Sequence, residues 1–175
     1  YYQNVLLSVN AVKFGVTKNF SIGGGLELIS TLQGNPLWFL TPKLGFELRE
    51  NIHVGAGSVI LGLPEDGIAG LAYGTITYGS DHSNLSFGLG VGMAEGILYD
   101  SPTFSLSGQH RVANKLSIIS ENYFLPNDLA GDSYFGIHGI RLLSGKSSFD
   151  IGLLVIPSIA KFILGIPVVG YQRRF

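Results

Sequence analysis

The sequence has no cysteine and few charged residues, and both absences exclude classes of protein. Without thiols, the chain has no disulfide framework and no thiolate metal site. Charged residues make up 13% of the chain, well below the usual ~25%, and the mean hydropathy is +0.34. An ordinary soluble domain needs a more charged surface than this. The net charge of −1 gives no support to nucleic-acid binding.

Long apolar runs are also rare. A membrane helix needs ~20 consecutive apolar residues, and residues 151–171 approach this with Lys161 as their single charge. Pro157 and Pro167, together with three glycines, argue against a helix in this segment. We therefore expect a strand hairpin with an apolar loop there. No signal peptide opens the chain, so we interpret the sequence as a mature form or a fragment.

The sequence does contain a regular alternation of apolar residues with polar or small ones. In residues 85–93, leucine, phenylalanine, valine and methionine take every second position, and serine and glycine take the others. Residues 37–48 and 149–155 show the same pattern. Short polar turns recur at a regular interval, centred near residues 18, 50, 81, 114 and 146, with longer breaks between them. A period of two over many segments predicts strands.

We predict eleven strands, at about residues 3–16, 20–30, 37–48, 52–61, 68–78, 84–93, 102–112, 116–125, 134–143, 148–156 and 165–175. These lengths suit tilted strands that cross a bilayer. The predicted fold is an all-β, antiparallel up-and-down transmembrane β-barrel, with residues 1–175 as a single domain. Bacterial single-chain barrels have even strand counts, so we expect that one strand before Tyr1 is missing and that the complete barrel has twelve. The alternatives are an odd-stranded barrel, or two segments that form one strand.

Two further points bear on this fold. A soluble barrel or sandwich would also alternate, but its outer face would carry charges, and here the non-apolar face is mostly glycine and serine. Pro42 lies within the third predicted strand, and proline has no N–H to donate in a closed sheet. We expect a β-bulge at Pro42.

The last eight residues, VVGYQRRF, end on Phe175, with Tyr171 at an alternate position before it. This ending resembles the C-terminal signal of Gram-negative outer-membrane β-barrel proteins. The resemblance implies an outer-membrane location, and it implies that the barrel-assembly machinery reads Tyr171 and Phe175 during insertion. Arg173 departs from the apolar pattern, although an arginine near the rim can extend its charge to the interface.

A second resemblance lies near the start of the chain. The segment FGVTKNFSIGGGLELIS, followed by TPKLGFEL and VGAG, is similar to an uncharacterised outer-membrane barrel family of the Bacteroidota. It covers the first third of the chain and implies no known activity.

If the apolar face meets lipid, the opposite face lines the lumen, and its charges are the candidate functional residues. These lumen charges are Glu27, Lys43, Glu47, His53, Glu121, Arg141 and Asp150. By their distance from the short turns, we expect Arg141 beside Asp150 and Glu47 beside His53. We expect Glu27 with Lys43, and Glu121 with Arg141, at similar heights on adjacent strands. Such pairs would satisfy each other inside a narrow barrel, or form a charged ring that selects solutes.

The sequence shows no catalytic, cofactor-binding or metal-binding residues, and we expect that the protein is not an enzyme. None of the four histidines (His53, His82, His110 and His138) has a convincing partner by position, and His82 lies in the polar turn GSDHS. We interpret the chain as a scaffold or accessory subunit of an outer-membrane assembly. Its partners would be the lipid bilayer and other proteins of that assembly. A small passive, porin-like channel is the alternative, and a lipid or peptide hydrolase is the second alternative.

Overall fold

The computed structural model describes residues 9–63, 67–94, 96–126, 133–160 and 164–173. Over these residues the chain forms one sheet of eleven antiparallel strands, and each strand neighbours the next one in the chain. The strands are β1 (Val9–Gly15), β2 (Phe20–Glu27), β3 (Leu37–Arg49), β4 (Ile52–Leu63), β5 (Gly67–Gly79), β6 (Ser83–Ala94), β7 (Ile97–Ala113), β8 (Leu116–Phe124), β9 (Tyr134–Ser144), β10 (Ser147–Val155) and β11 (Ile166–Arg173). The up-and-down order confirms the all-β fold, the eleven strands and the positions of the short turns.

Two short helices lie in the connections between strands. Helix α1 (Leu28–Leu32) follows β2, and helix α2 (Pro157–Ala160) follows β10. Thr31 Oγ1 donates a hydrogen bond of 2.6 Å to the carbonyl oxygen of Glu27, which ties α1 to the end of β2. Within the described ranges, no helix is long and apolar enough to span a membrane.

One predicted loop is wrong. The sequence predicts a long connection at residues 94–101, but β6 ends at Ala94 and β7 begins at Ile97. Gly96 has a φ of 78°, a left-handed conformation that glycine adopts without steric cost. Because this glycine permits a tight connection, Ile97 and Leu98 continue the strand instead of forming a loop tip.

The chain groups into two compact units. One comprises Tyr1–Phe46, Val54–Gly74 and Gly90–Ser101, and the other comprises Glu47–His53, Thr75–Leu89 and Pro102–Phe175. In the first unit, β2 pairs with β1 and with β3 in continuous registers. In the second unit, β7 to β11 pair in order, and the register of β7 with β8 shifts between Arg111 and Ala113.

Pro42 lies in β3 opposite Ile22 of β2, and the register passes through this position without a shift. The expected bulge is therefore wrong for this pair of strands. The N–H of Gly45 donates to the carbonyl oxygen of Asn19 at 2.8 Å, and hydrogen-bonded pairs alternate with non-hydrogen-bonded pairs along an antiparallel ladder. Pro42 and Ile22 thus form a non-hydrogen-bonded pair, so the missing N–H removes no bond to β2.

A soluble protein buries apolar side chains and exposes polar ones, and the described residues show the opposite distribution. No hydrophobic side chain is buried among the described residues, whereas Glu27, Thr103 and Ser117 are buried. Large apolar side chains at alternate strand positions are exposed on one side of the sheet, which we call the apolar face. It carries Phe46, Phe87, Phe104, Phe149 and Tyr171, each between 42% and 56% exposed. The other side, the polar face, carries Lys43, Thr77, Ser117, Arg141 and Asp150.

Some strand glycines make room for aromatic rings of the neighbouring strand. A Cβ atom at Gly25 would lie 2.8 Å from ring atoms of Phe39, and one at Gly57 would lie 2.8 Å from the hydroxyl of Tyr73. These four residues belong to the polar face of the first unit. At these two positions an aromatic ring of the neighbouring strand occupies the space that the glycine leaves.

The sheet is open over the residues that the structure describes. Its order begins with β1 and ends with β11, and these two strands do not pair within those residues. Closure into a barrel and the twelfth strand stay predictions.

Candidate functional site

Arg141 and Asp150 form a bidentate ion pair on the polar face. They lie opposite each other on β9 and β10. Arg141 Nε donates to Asp150 Oδ1, and Nη2 donates to Oδ2, both at 2.7 Å. The two side chains are 26% and 21% exposed, so water screens the charges only in part. The predicted cross-strand contact is confirmed.

Other polar side chains lie at neighbouring cross-strand positions on the polar face, and the sequence pattern alone did not single them out. Ser117 of β8 pairs with Arg111 of β7 on one side and with Arg141 of β9 on the other, and it is 2% exposed. Arg141 Nη1 also donates to Gln109 Oε1 at 3.4 Å. The Nε atom of Arg111 is buried without a hydrogen-bond partner in the described part of the chain. The alternation of β8 carried a signal for Ser117, which faces away from the exposed Ile118.

The register separates the members of two other expected charge pairs. Glu27 lies opposite Leu37, six residues along β3 from Lys43, or about 20 Å at the rise of a strand, so this pair is wrong. Glu121 lies opposite Ile137, four residues along β9 from Arg141, so these two are not direct partners, although the charge of Glu121 still acts on the guanidinium of Arg141. Glu121 Oε2 instead accepts a hydrogen bond from the hydroxyl of Tyr123 at 2.9 Å.

Among the residues that the structure describes, Glu47, His53 and Tyr171 form no hydrogen bond or ion pair with Arg141 or Asp150. Within the described ranges, Glu47 and His53 form neither an ion pair nor a hydrogen bond with each other. Tyr171 is on the apolar face, where its ring lies 4.8 Å from that of Phe149. Phe175 lies outside the described residues.

A second polar group interrupts the apolar face. Ser120 of β8 lies opposite His138 of β9. Both are an odd number of residues from the Ser117–Arg141 pair, so they lie on the opposite side of the sheet from Arg141. Ser120 Oγ is 3.0 Å from His138 Nδ1, and His138 Nε2 is 3.3 Å from the hydroxyl of Tyr134. That hydroxyl donates to Asn122 Oδ1 at 3.0 Å, and Asn122 Nδ2 donates to Ser120 Oγ at 3.1 Å. We call these four residues, Ser120, Asn122, Tyr134 and His138, the serine–histidine ring.

The hydrogen bonds of the serine–histidine ring have a single consistent direction. Asn122 Nδ2 also donates to the carbonyl oxygen of Leu106 at 3.0 Å, and a carbonyl only accepts, which fixes the orientation of the amide. The Tyr134 hydroxyl uses its proton on Asn122, so it accepts from His138 Nε2. His138 Nδ1 is then the unprotonated nitrogen, and it accepts a hydrogen bond from the Ser120 hydroxyl.

Two glycines shape the surroundings of this ring. A Cβ atom at Gly136 would lie 2.7 Å from His138 Nε2 and would collide with the Tyr134 hydroxyl, so the glycine is what allows them to meet. Gly108 of β7 lies opposite Ser120. An open groove of about 350 Å³ passes over it, bordered by Leu85, Leu106, His110, Ile118, Ser120 and Asn122.

A second serine and histidine border the same groove. Ser83 Oγ lies 2.9 Å from His110 Nδ1, and this contact is exposed. Among the described residues, no hydrogen bond fixes the other nitrogen of His110. His82 lies in the turn before β6, as predicted, and its backbone N–H donates to Ser80 Oγ at 3.2 Å.

Neither metal chemistry nor a known relative guides the assignment of function. In the part of the chain that the structure describes, no group of three His, Cys, Asp or Glu side chains could hold a metal ion. Comparisons with known protein families, with curated proteins and with solved structures find no match. Over the described residues, the fold defines an all-β protein with one up-and-down sheet.

Proposed function

We propose that this chain is the membrane-spanning β-barrel of a Gram-negative outer-membrane protein. In this proposal it serves as a scaffold or accessory subunit of an outer-membrane assembly. One observation carries the proposal: among the described residues, every large apolar side chain is at least partly exposed, and the buried side chains are polar. A soluble domain buries its large apolar side chains, whereas a transmembrane barrel turns them toward lipid.

A largely closed lumen is supported by what occupies the polar face. In the second unit, Arg141 and Asp150 neutralise each other, and the rings of Tyr123 and Phe135 stack at 4.7 Å. An aqueous channel instead presents charged side chains to the passing solute. Paired charges and stacked rings therefore favour a structural role for this face.

Apolar side chains near the connections support a role in an assembly. Ile97 and Leu98 at the start of β7 are 68% and 64% exposed, and Leu164 before β11 is 88% exposed. Exposed apolar groups at the ends of strands are suited to contact with a protein partner or with the lipid interface.

Reconstitution of the full chain tests the proposal. We expect the chain to insert into lipid vesicles, shown by its resistance to carbonate extraction, and to leave a planar lipid bilayer electrically silent. Reproducible conductance steps that change on Arg141→Ala would instead make the chain a channel with Arg141 in its filter. Failure to insert would contradict the membrane-spanning sheet itself.

A further inference from the structure

We propose that the serine–histidine ring is a hydrolytic site, with Ser120 as nucleophile and His138 as general base, and that it cleaves carboxylic esters of apolar acyl chains. No partner for His138 is evident from the sequence alone, but the structure places Ser120 Oγ 3.0 Å from its Nδ1. Polar side chains on a lipid-facing surface are costly and mark functional sites by default. Packing alone would favour apolar residues at these four positions.

The geometry meets the requirements of an activated serine. A nucleophile needs a base within ~2.6–3.2 Å, and the base needs a third group that orients it. His138 Nδ1 accepts a hydrogen bond from the Ser120 hydroxyl, and the Tyr134 hydroxyl accepts a hydrogen bond of 3.3 Å from Nε2. Tyr134 is in turn held by Asn122 Oδ1 at 3.0 Å. Tyr134 is therefore a positioning residue, while Ser120 and His138 are catalytic residues.

The reaction balances without any further reagent. Ser120 Oγ forms a bond to the ester carbonyl carbon, and its proton moves to His138 Nδ1. The bond from that carbon to the alcohol oxygen breaks, and His138 Nδ1 returns the proton to the leaving alcohol. A water molecule then attacks the acyl-serine, gives a proton to His138 Nδ1, and releases the carboxylic acid as Ser120 regains its proton.

Stabilisation of the oxyanion falls to Asn122. Its Nδ2 donates one proton to the carbonyl oxygen of Leu106 and the other to Ser120 Oγ, and this second proton turns to the oxyanion once Ser120 Oγ has bonded to the ester carbon. A positioned N–H donor stabilises the negative charge that develops on the carbonyl oxygen.

The groove over Gly108 indicates the class of substrate. Its volume of about 350 Å³ is bordered by Leu85, Leu106 and Ile118, and Ser120 and Asn122 lie at its edge. An acyl chain fits the apolar walls, and its ester group meets the hydroxyl of Ser120. The choice of a membrane lipid as the source of this ester rests on the proposed function, because the groove opens on the apolar face.

A fluorophosphonate probe tests the nucleophile in detergent, without any need for membrane insertion. The probe forms a bond from Ser120 Oγ to phosphorus and releases fluoride. We expect labelling of the wild-type chain and loss of at least about 100-fold on Ser120→Ala and on His138→Gln, in line with the usual contribution of a general base. Ser147→Ala is the control, since Ser147 does not border the groove and its Oγ contacts the Tyr171 hydroxyl at 3.2 Å instead of a histidine. It is expected to label normally.

Lipid hydrolysis and the role of Tyr134 are tested in vesicles of phosphatidylethanolamine and phosphatidylglycerol. We expect release of free fatty acid, abolished by Ser120→Ala. Tyr134→Phe keeps the ring and removes the hydroxyl, so we expect kcat to fall about 10-fold with KM unchanged. If Tyr134 had a purely structural role, Tyr134→Phe would not lower kcat while leaving KM unchanged.

A second variant covers the case in which Ser120→Ala fails to fold. The chain has no cysteine, so Ser120→Cys creates a single thiol of similar size. We expect iodoacetamide to react with it about 10-fold faster than with the same thiol in a His138→Gln background, because His138 takes the thiol proton. Equal rates, an unlabelled wild-type chain, or labelling that persists in Ser120→Ala would overturn the proposal. Labelling without fatty-acid release would overturn the lipid ester as substrate.

Discussion

Arg141 and Asp150 show how much a single contact on the polar face contributes. Both carboxylate oxygens receive an N–H from one guanidinium at 2.7 Å, a geometry that gives strong, directional bonds. Removal of one partner leaves a partly buried charge without its counterpart, and this costs more than removal of both.

We predict that Arg141→Ala lowers the free energy of unfolding by about 2 kcal/mol, and that the double variant Arg141→Ala/Asp150→Ala loses less than the sum of the single losses. The measurement is urea unfolding in lipid vesicles, followed by the fluorescence of Trp38, the single tryptophan of the chain. Lys146→Ala, at an exposed charge in the turn after β9, is the control and is expected to change stability by less than about 0.5 kcal/mol. Strictly additive losses would show that the ion pair contributes nothing.

For individual residues, cross-strand neighbours could be predicted from the sequence only where a short turn joins the two strands. Arg141 and Asp150 flank a turn whose two strands are symmetric about it, so counting residues gives the register. Glu27 and Lys43 are separated by α1 and a longer connection, and the sequence does not fix how many residues such a connection takes up. The partnership of Ser120 with His138 was missed for the same reason, since a long connection separates β8 from β9.

At the scale of an element, the hairpin of β3 and β4 depends on the residue at its turn. Asn51 has a φ of 63° and is the non-glycine residue with positive φ among those described. Its carbonyl oxygen also accepts a hydrogen bond of 2.8 Å from the N–H of Gly79. Asparagine tolerates the left-handed conformation, while β-branched residues do not.

We predict that Asn51→Val destabilises the hairpin by about 1–2 kcal/mol, because the branched side chain clashes with the backbone at positive φ. Asn51→Gly is the matched variant and should be neutral or slightly stabilising, since glycine adopts this conformation freely. Unfolding by urea in lipid vesicles compares the two. An equal loss for both variants would mean that the asparagine side chain, and not the backbone conformation, holds the turn.

Strands and short turns were predictable from the sequence because each is a local pattern. A period of two identifies strands whatever their partners, and polar turn residues mark their ends. The connection expected at residues 94–101 is shorter in the structure, because Ile97 and Leu98, two consecutive apolar residues without alternation, belong to β7. The effect of Pro42 on the pairing with β2 could not be predicted, because it depends on which ladder position Pro42 occupies, and that depends on the register of the two strands.

At the scale of the whole molecule, the distribution of exposed side chains determines the solvent that each face meets. The described residues have no fully buried apolar side chain, so the large exposed area of the apolar face adds stability only where that face contacts lipid or another protein. The sequence predicted which residues share that face. It could not predict closure of the sheet, because closure depends on the pairing of the first and last strands.

The most direct test measures the solvent at successive positions of β10 in a lipid bilayer. Because the chain has no cysteine, nitroxide spin labels can be attached to single cysteines at Phe149, Ile151 and Leu153 on the apolar face, and at Ser148 and Leu154 on the other. We predict frequent collisions with oxygen and few with a water-soluble nickel complex at the first three positions, with the opposite balance or low access to both at the other two. Access of the nickel complex to Phe149, Ile151 and Leu153, at the level of an exposed turn, would contradict a membrane-spanning sheet.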